Sequence, residues 1–146
     1  MSHTHLLYHI VFATKNRMPI IKPEWQSELH RYLGGIVKNF EGVPIEINGI
    51  EDHVHLLVRL KPKYSISGFL QELKADSSKW TKRNHFAKFS WQVRYAAFTV
   101  SESQFEKVRK YIQQQQEHHR RIHFTDEYIE LLKAHRVEYD EKYLWN

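Results

Sequence analysis

Cysteine is absent from the 146-residue chain, which excludes a disulfide framework, a thiolate nucleophile and any Cys-based zinc site. Any metal must be held by His, carboxylate, amide or water. No hydrophobic run approaches the ~20 residues of a membrane span. Met1 to Leu7, with two histidines, shows neither the basic nor the apolar region of a signal peptide. The expectation is a cytoplasmic protein with no membrane partner. No internal repeat, linker or low-complexity segment interrupts the chain apart from the glutamines Gln113 to Gln116. The length fits one domain over residues 1–146 rather than two. Eight Phe, eight Tyr and four Trp supply a core that a disordered chain would lack.

Charge is placed unevenly. There are 22 basic and 17 acidic residues, a net +5. Between Arg59 and Arg94, nine basic residues face only Glu72 and Asp76. This stretch is interleaved with Trp80, Phe86, Phe89 and Trp91, so it offers cations for phosphates and flat rings on which unpaired bases can stack. Single-stranded nucleic acid is therefore a candidate partner. A solvated basic face with the rings in the core accounts for the same pattern equally well.

Hydrophobic periodicity divides the chain into alternating elements. Leu6 to Thr14 reads as a central strand ending at the polar turn Lys15-Asn16-Arg17. Glu24 to Phe40 carries apolar residues at helical spacing behind Pro23, a residue favoured at helix starts. Val43 to Asn48 and His53 to Leu60 form a hairpin around Gly49 to Asp52. Ser65 to Arg83 is helical, with Ser65 or Ser67 as cap. Trp91 to Val100 reads as a fourth strand, and Ser101 caps a third helix through Phe105, Val108 and Ile112. Asp126 to His135 reads as a short fourth helix before an aromatic tail of Tyr139, Tyr143 and Trp145. The order strand, helix, strand, strand, helix, strand predicts an α+β fold of the ferredoxin-like, split βαβ kind. Its antiparallel sheet has both helices on one face, and a further helix bearing Tyr111 follows. That topology hosts many activities, so function must be read from a site.

His53 and His55 alternate with Val54 along the third strand, so both imidazoles face one side, about 6–7 Å apart along the strand. Two such rings can share a divalent ion, with Asp52 or Glu51 as acceptor for the other ring nitrogen. Alone, the pattern equally describes surface histidines. In the third helix, Tyr111 and Gln115 stand at i and i+4 and project side by side. His118, at i+7 from Tyr111, rivals Gln115 as a third ligand, whereas His119 is rotated away. A phenol with an ordinary pKa near 10 is a poor nucleophile, but a phosphodiester polarised by a metal needs less help. The competing role for Tyr111 is a boundary ring packed beside Phe105, Val108 and Ile112.

Taken together, Asp52-His53-Val54-His55-Leu56-Leu57 and Tyr111-Ile112-x-x-Gln115-x-Glu117-His118-His119 resemble the small single-tyrosine HUH transposases of bacterial insertion sequences. The resemblance covers nearly the whole chain. It includes Tyr8 to Phe12 with Thr14-Lys15, Leu73-Lys74 with Ser77-Ser78, Trp91-Gln92, and the turn Thr99-Val100-Ser101, all in the expected order. It implies that His53, His55 and Gln115 bind Mg²⁺ or Mn²⁺ and that Tyr111 is the nucleophile. The product would be a 5′-phosphotyrosine and a free 3′-hydroxyl that later rejoins strands. It also implies a homodimer acting on hairpins in single-stranded element ends, the tyrosine helix docking in cis or in trans. Lys15, Arg17, Lys74, Lys79, Lys82 and Arg83 are the candidate DNA contacts. A non-catalytic single-strand binder, a domesticated relative acting on repeated chromosomal hairpins, and a metal-dependent hydrolase remain alternatives, separable by genomic context or by a covalent protein–DNA species.

Overall fold

The computed structural model describes residues 2–145. Four strands, β1 (Leu7–Ala13), β2 (Val43–Ile50), β3 (His53–Arg59) and β4 (Ala96–Val100), form one sheet in the order β2-β3-β1-β4, with every neighbouring pair antiparallel. Helices α1 (Pro23–Asn39) and α2 (Ile66–Asn84) supply the two crossovers. This is the ferredoxin-like arrangement expected from the order of elements. Pro23 opens α1, and the Ser65 hydroxyl caps α2 by accepting from the Gly68 amide at 3.1 Å.

Both faces of the sheet are covered, and alternation along the strands sorts residues between them. Ile10, Phe12, Val54, Leu56 and Val58 pack with Leu29, Leu33, Phe69, Leu70 and Leu73 beneath α1 and α2. On the opposite face, Val11, Ala13, Ala96 and Phe98 meet Phe124, Tyr128 and Leu132 of α5 (Phe124–Ala134). His53 and His55 belong to this second face. Between β4 and α5 the chain forms α3 (Phe105–Gln113) and a one-turn helix α4 (Gln115–His118), which lie along β2.

Three boundaries differ from the sequence expectation for physical reasons. The fourth strand begins at Ala96, not Trp91, because Gln92 interrupts the ladder. Its side-chain carbonyl accepts from the Ala13 amide, and its backbone amide donates to the Ala13 carbonyl. Trp91 keeps only an isolated bridge to Thr14. The β2–β3 turn is tighter than expected, pairing Ile50 with His53. Gly49 allows this: a Cβ there would lie 2.2 Å from the His53 carbonyl oxygen and 2.9 Å from Val54 Cα. The third expected helix breaks at Gln114, whose φ of −98° and ψ of 19° separate α3 from α4.

Candidate active site

The site grows from β3. The His53 Nδ1–H donates to Asp52 Oδ1 at 2.8 Å, which presents Nε2 inward. His55 Nδ1 lies 2.8 Å from Nε2 of His9, on β1, two residues along from Val11, the residue opposite His55. Each ring is thus oriented through its outer nitrogen. The side chains are buried, and desolvation moves His55 down to about 4, so its ring is neutral near pH 7.

The break at Gln114 positions the second half of the site. Asn48 of β2, opposite His55 in register, donates through Nδ2 to the Ile112 carbonyl at 2.8 Å and the Gln113 carbonyl at 3.2 Å. It thereby satisfies carbonyls that the end of α3 leaves free. Gln116 Nε2 returns a bond to Asn48 Oδ1 at 2.8 Å, and Glu46 accepts from Arg109 and Gln113. So fixed, α4 turns Gln115 inward, with Oε1 2.9 Å from His53 Nε2.

The helical extrapolation for His118 and His119 requires correction. Because the axis breaks at Gln114, His119 is not rotated away. Its Nδ1–H donates to the Ile122 carbonyl at 2.8 Å, and its Nε2 lies 3.0 Å from both Gln115 Oε1 and Glu127 Oε1. His118 approaches the Tyr111 ring at 5.4 Å, but its Nε2 is 3.6 Å from Glu127 and makes no hydrogen bond.

Glu127, in the first turn of α5, is 1% exposed and stands at the centre. Its Oε1 accepts from His55 Nε2 at 3.1 Å and its Oε2 accepts from Gln115 Nε2 at 2.9 Å and from the Tyr111 hydroxyl. Desolvation alone would raise its pKa, but the hydrogen bonds from His119 and His55 and the surrounding imidazoles overcome that and hold it ionised, well below the usual carboxylate range. Tyr111 is driven the other way. Burial and then the Glu127 charge push the phenol far above its ordinary value, so at rest it is fully protonated. Sequence reasoning missed Glu127, although it falls on the apolar stripe of α5 with Phe124, Tyr128 and Leu131, an unusual place for a carboxylate.

The donor set fits a cation. His53, His55, His119 and Glu127 each offer one ligand atom, and these atoms lie within 4.8 Å of one another. Because His53 and His119 direct their Nδ1 atoms at Asp52 and Ile122, their Nε2 atoms converge on the Gln115 and Glu127 oxygens. Only protons or a metal ion can relieve that convergence. Three imidazoles with carboxylate and amide oxygens suit Mn²⁺ better than Mg²⁺, which prefers oxygen and water.

The candidate DNA contacts divide between the two sides of the sheet. Lys15 and Arg17 follow β1 at the His53 end, where Ala13 pairs with His53, and the Arg17 guanidinium lies 4.6 Å from the Trp145 ring. Trp145 packs in turn on Phe124 and Tyr128 of the site face, which gives the aromatic tail a place on its own chain. Lys79, Lys82 and Arg83 are exposed on α2, on the opposite side of the sheet. Lys74 turns inward to donate to the carbonyls of Val93 at 3.2 Å and Arg94 at 3.1 Å, and burial lowers its amine to about 8. None of the helices is long and apolar enough to cross a membrane, among the described residues.

Comparison with known proteins agrees with this architecture. The chain is 29% identical to the ISDra2 transposase TnpA of Deinococcus radiodurans over 119 residues, covering 75% of this chain and 84% of that one. It is 36% identical to the transposase for insertion sequence element IS200 of Salmonella typhimurium over 84 residues, 53% of each chain. A crystal structure described as that of a transposase from Deinococcus radiodurans R1 superposes with a TM-score of 0.61 at 27% identity, covering 78% of this chain and 93% of that one. A REP-associated tyrosine transposase bound to a REP hairpin shares the fold, with a TM-score of 0.62 at 13% identity, covering 82% of this chain and 73% of that one. The family model described as "Transposase IS200 like" matches residues 2–115, and the chain belongs to that family of DNA-cleaving and DNA-joining enzymes.

Proposed function

We propose that this protein cleaves and rejoins single-stranded DNA at hairpin-bearing element ends, with Tyr111 as nucleophile and a divalent metal, Mn²⁺ or Mg²⁺, held by His53, His55, His119, Glu127 and Gln115. The observation that carries this reading is the Tyr111 hydroxyl bonded to Glu127, the same carboxylate that meets His55 and His119. A potential nucleophile and a cation-seeking donor cluster therefore share one carboxylate, the hydroxyl on Oε2 and the imidazoles on Oε1. A metal ion bound there supplies positive charge that attracts the scissile phosphate and opposes the forces keeping the phenol protonated.

This chain's residues account for the remaining parts. Glu127 orients the Tyr111 hydroxyl and is the acceptor nearest its proton. As the Oη–phosphorus bond forms, the P–O3′ bond breaks, the Oη proton is lost and O3′ takes up a proton to leave as a hydroxyl. The result is a 5′-phosphotyrosine, and attack of a 3′-hydroxyl on it reverses the step and rejoins strands without an external energy source. Asp52 and His9 hold the tautomers: with Nε2 of His53 and His55 as ligand atoms, the protons reside on Nδ1 and donate to Asp52 Oδ1 and His9 Nε2. Lys15 and Arg17 are the phosphate contacts nearest the chemistry. Lys79, Lys82 and Arg83 contact DNA running over α2, and Lys74 supports the 93–94 loop that borders it. The working unit is a homodimer.

Incubating the protein with labelled single-stranded hairpin oligonucleotides and Mn²⁺ tests the reading on a denaturing gel. A protein–DNA band lost with chelator, with Tyr111→Phe and with His53→Ala is the expected result. Cleavage that survives Tyr111→Phe would remove Tyr111 as the nucleophile.

A further inference from the structure

Beside the nucleophile lies a cavity of about 580 Å³, between the end of β4, α3 and α5. It falls within the ~300–1,000 Å³ range of small-ligand sites. The Tyr111 ring forms one wall, and His9 the floor. Val100, Val108, Leu131 and Ala134 contribute apolar sides from three different elements. The polar lining comes from Thr99 of β4, Ser101 and Gln104 in the β4–α3 connection, and Lys107 of α3. Neither Lys107 nor the Gln104 amide is used in an ion pair or side-chain hydrogen bond among the described residues, whereas Glu46 engages the α3 side chains of Arg109 and Gln113. His135 also lines the cavity and is stacked on Phe98 at 4.0 Å.

We propose that this cavity receives the base of one unpaired nucleotide flanking the scissile phosphate. The inference rests on Tyr111 as the nucleophile. An occupant sharing a wall with the Tyr111 ring lies within one side chain of the attacking hydroxyl, and a single strand passing that hydroxyl can bring a base there. The Tyr111 ring and the apolar sides suit the faces of a nucleobase, while Gln104 and Thr99 offer donor and acceptor atoms to its polar edge. Lys107 carries the charge complementary to the adjoining phosphate. The cavity would thus seat the strand so that phosphorus meets Oη, and would favour some bases at that position over others.

Two measurements test this. First, adduct formation is compared on a cleavable oligonucleotide and on copies made abasic at each position flanking the cut, using the wild type and Ala134→Trp, which fills the cavity from an exposed position. One abasic position should slow the wild type at least about tenfold, the scale of one lost stacked base. Ala134→Trp should slow the intact substrate similarly and add nothing on that abasic copy. Equal slowing of both substrates, or no slowing, overturns the proposal. Thermal unfolding of Ala134→Trp checks that the fold is intact.

Second, 2-aminopurine is moved base by base along the same strand and bound to Tyr111→Phe without cleavage. One position should change emission at least twofold, and Ala134→Trp should abolish that change. A response at one position without any wild-type adduct would retain the base site while removing the transposase reading. No response at any position overturns the base site even if adducts form. A change of oligomeric state on Ala134→Trp with no emission response assigns the cavity to a second copy and also overturns it.

Discussion

Asn48→Asp is the sharpest perturbation of the site that touches neither a candidate ligand nor the nucleophile. The side chains have the same shape, so packing is unchanged, but two donors become an acceptor. In the native arrangement Nδ2 reaches the Ile112 carbonyl at 2.8 Å, the Gln113 carbonyl at 3.2 Å and Gln116 Oε1 at 3.1 Å. The two N–H groups can fully serve two of these three acceptors at once, so at about 0.5–1.5 kcal/mol per bond Asn48→Ala should cost about 1–3 kcal/mol. Asn48→Asp loses the donated bonds but keeps the oxygen that accepts from Gln116; because it sets a carboxylate against two backbone carbonyl oxygens, it should still cost more, by about 1 kcal/mol or above at neutral pH. For a chain of this size, ~1 kcal/mol lowers Tm by about 3–4 °C, so the Asp variant should melt about 7–15 °C below wild type and below the Ala variant. Because Asn48 fixes the break between Tyr111 and Gln115, adduct formation should fall by about 10–100-fold, the scale of a ~1 Å misplacement of reacting groups. Scanning calorimetry and a timed adduct gel read the two effects. An Asp variant with wild-type Tm and rate, or one milder than Ala, would refute the assignment of Asn48 as the donor that shapes this break.

Other outcomes follow from the same geometry. Glu127→Gln should weaken Mn²⁺ binding at least about tenfold, read as a rightward shift in the Mn²⁺ concentration needed to raise Tm, since a ligand stabilises in proportion to ln(1 + [L]/Kd); an unchanged Mn²⁺ dependence would exclude the carboxylate as a ligand. Gly49→Ala should destabilise by about 1–3 kcal/mol or more, because the new Cβ meets the His53 carbonyl at 2.2 Å and must move β3; chemical denaturation with an unshifted midpoint would contradict the close approach. His30 carries a buried Nε2 without a hydrogen-bond partner, and desolvation lowers its folded pKa to about 4 from 6.5. The unfolded state binds the extra proton, so this residue's contribution to stability is present above pH 6.5 and is lost as pH falls from 6.5 to 4. The loss is at most about 3 kcal/mol, less in proportion to the ring's residual contact with water. His30→Gln should flatten that part of the pH–stability curve, and an unaltered slope would show the ring to be solvated.

Hydrophobic period and turn residues carried most of the architecture. Strand alternation placed His53 and His55 on one face, and helical spacing put Tyr111 beside Gln115, because both depend on near neighbours in the chain. The break at Gln114 was hidden, since Gln113 to Gln116 are all good helix formers and the interruption is fixed by Asn48, 66 positions upstream. His119 was consequently aimed the wrong way, and Glu127 depends on α5 docking across the sheet, which no local pattern specifies. The late start of β4 has a similar origin in the Gln92 side chain. The sequence names the α2 cations and the Lys15–Arg17 turn alike as candidate DNA contacts, and only the fold shows that the sheet lies between them.

The alternation of His53, Val54 and His55 has a consequence for folding errors. Val54 belongs wholly to one apolar core, and the flanking imidazoles belong to the polar cluster on the other face. A slip of β3 by one residue against β1 would exchange them, burying two imidazoles among leucines and phenylalanines and placing valine among unsatisfied carboxylate and amide groups. Each misplacement is heavily penalised, so a slipped chain has no stable compact form to occupy. Mispaired molecules should therefore be cleared as unfolded chains rather than persist as compact, defective ones.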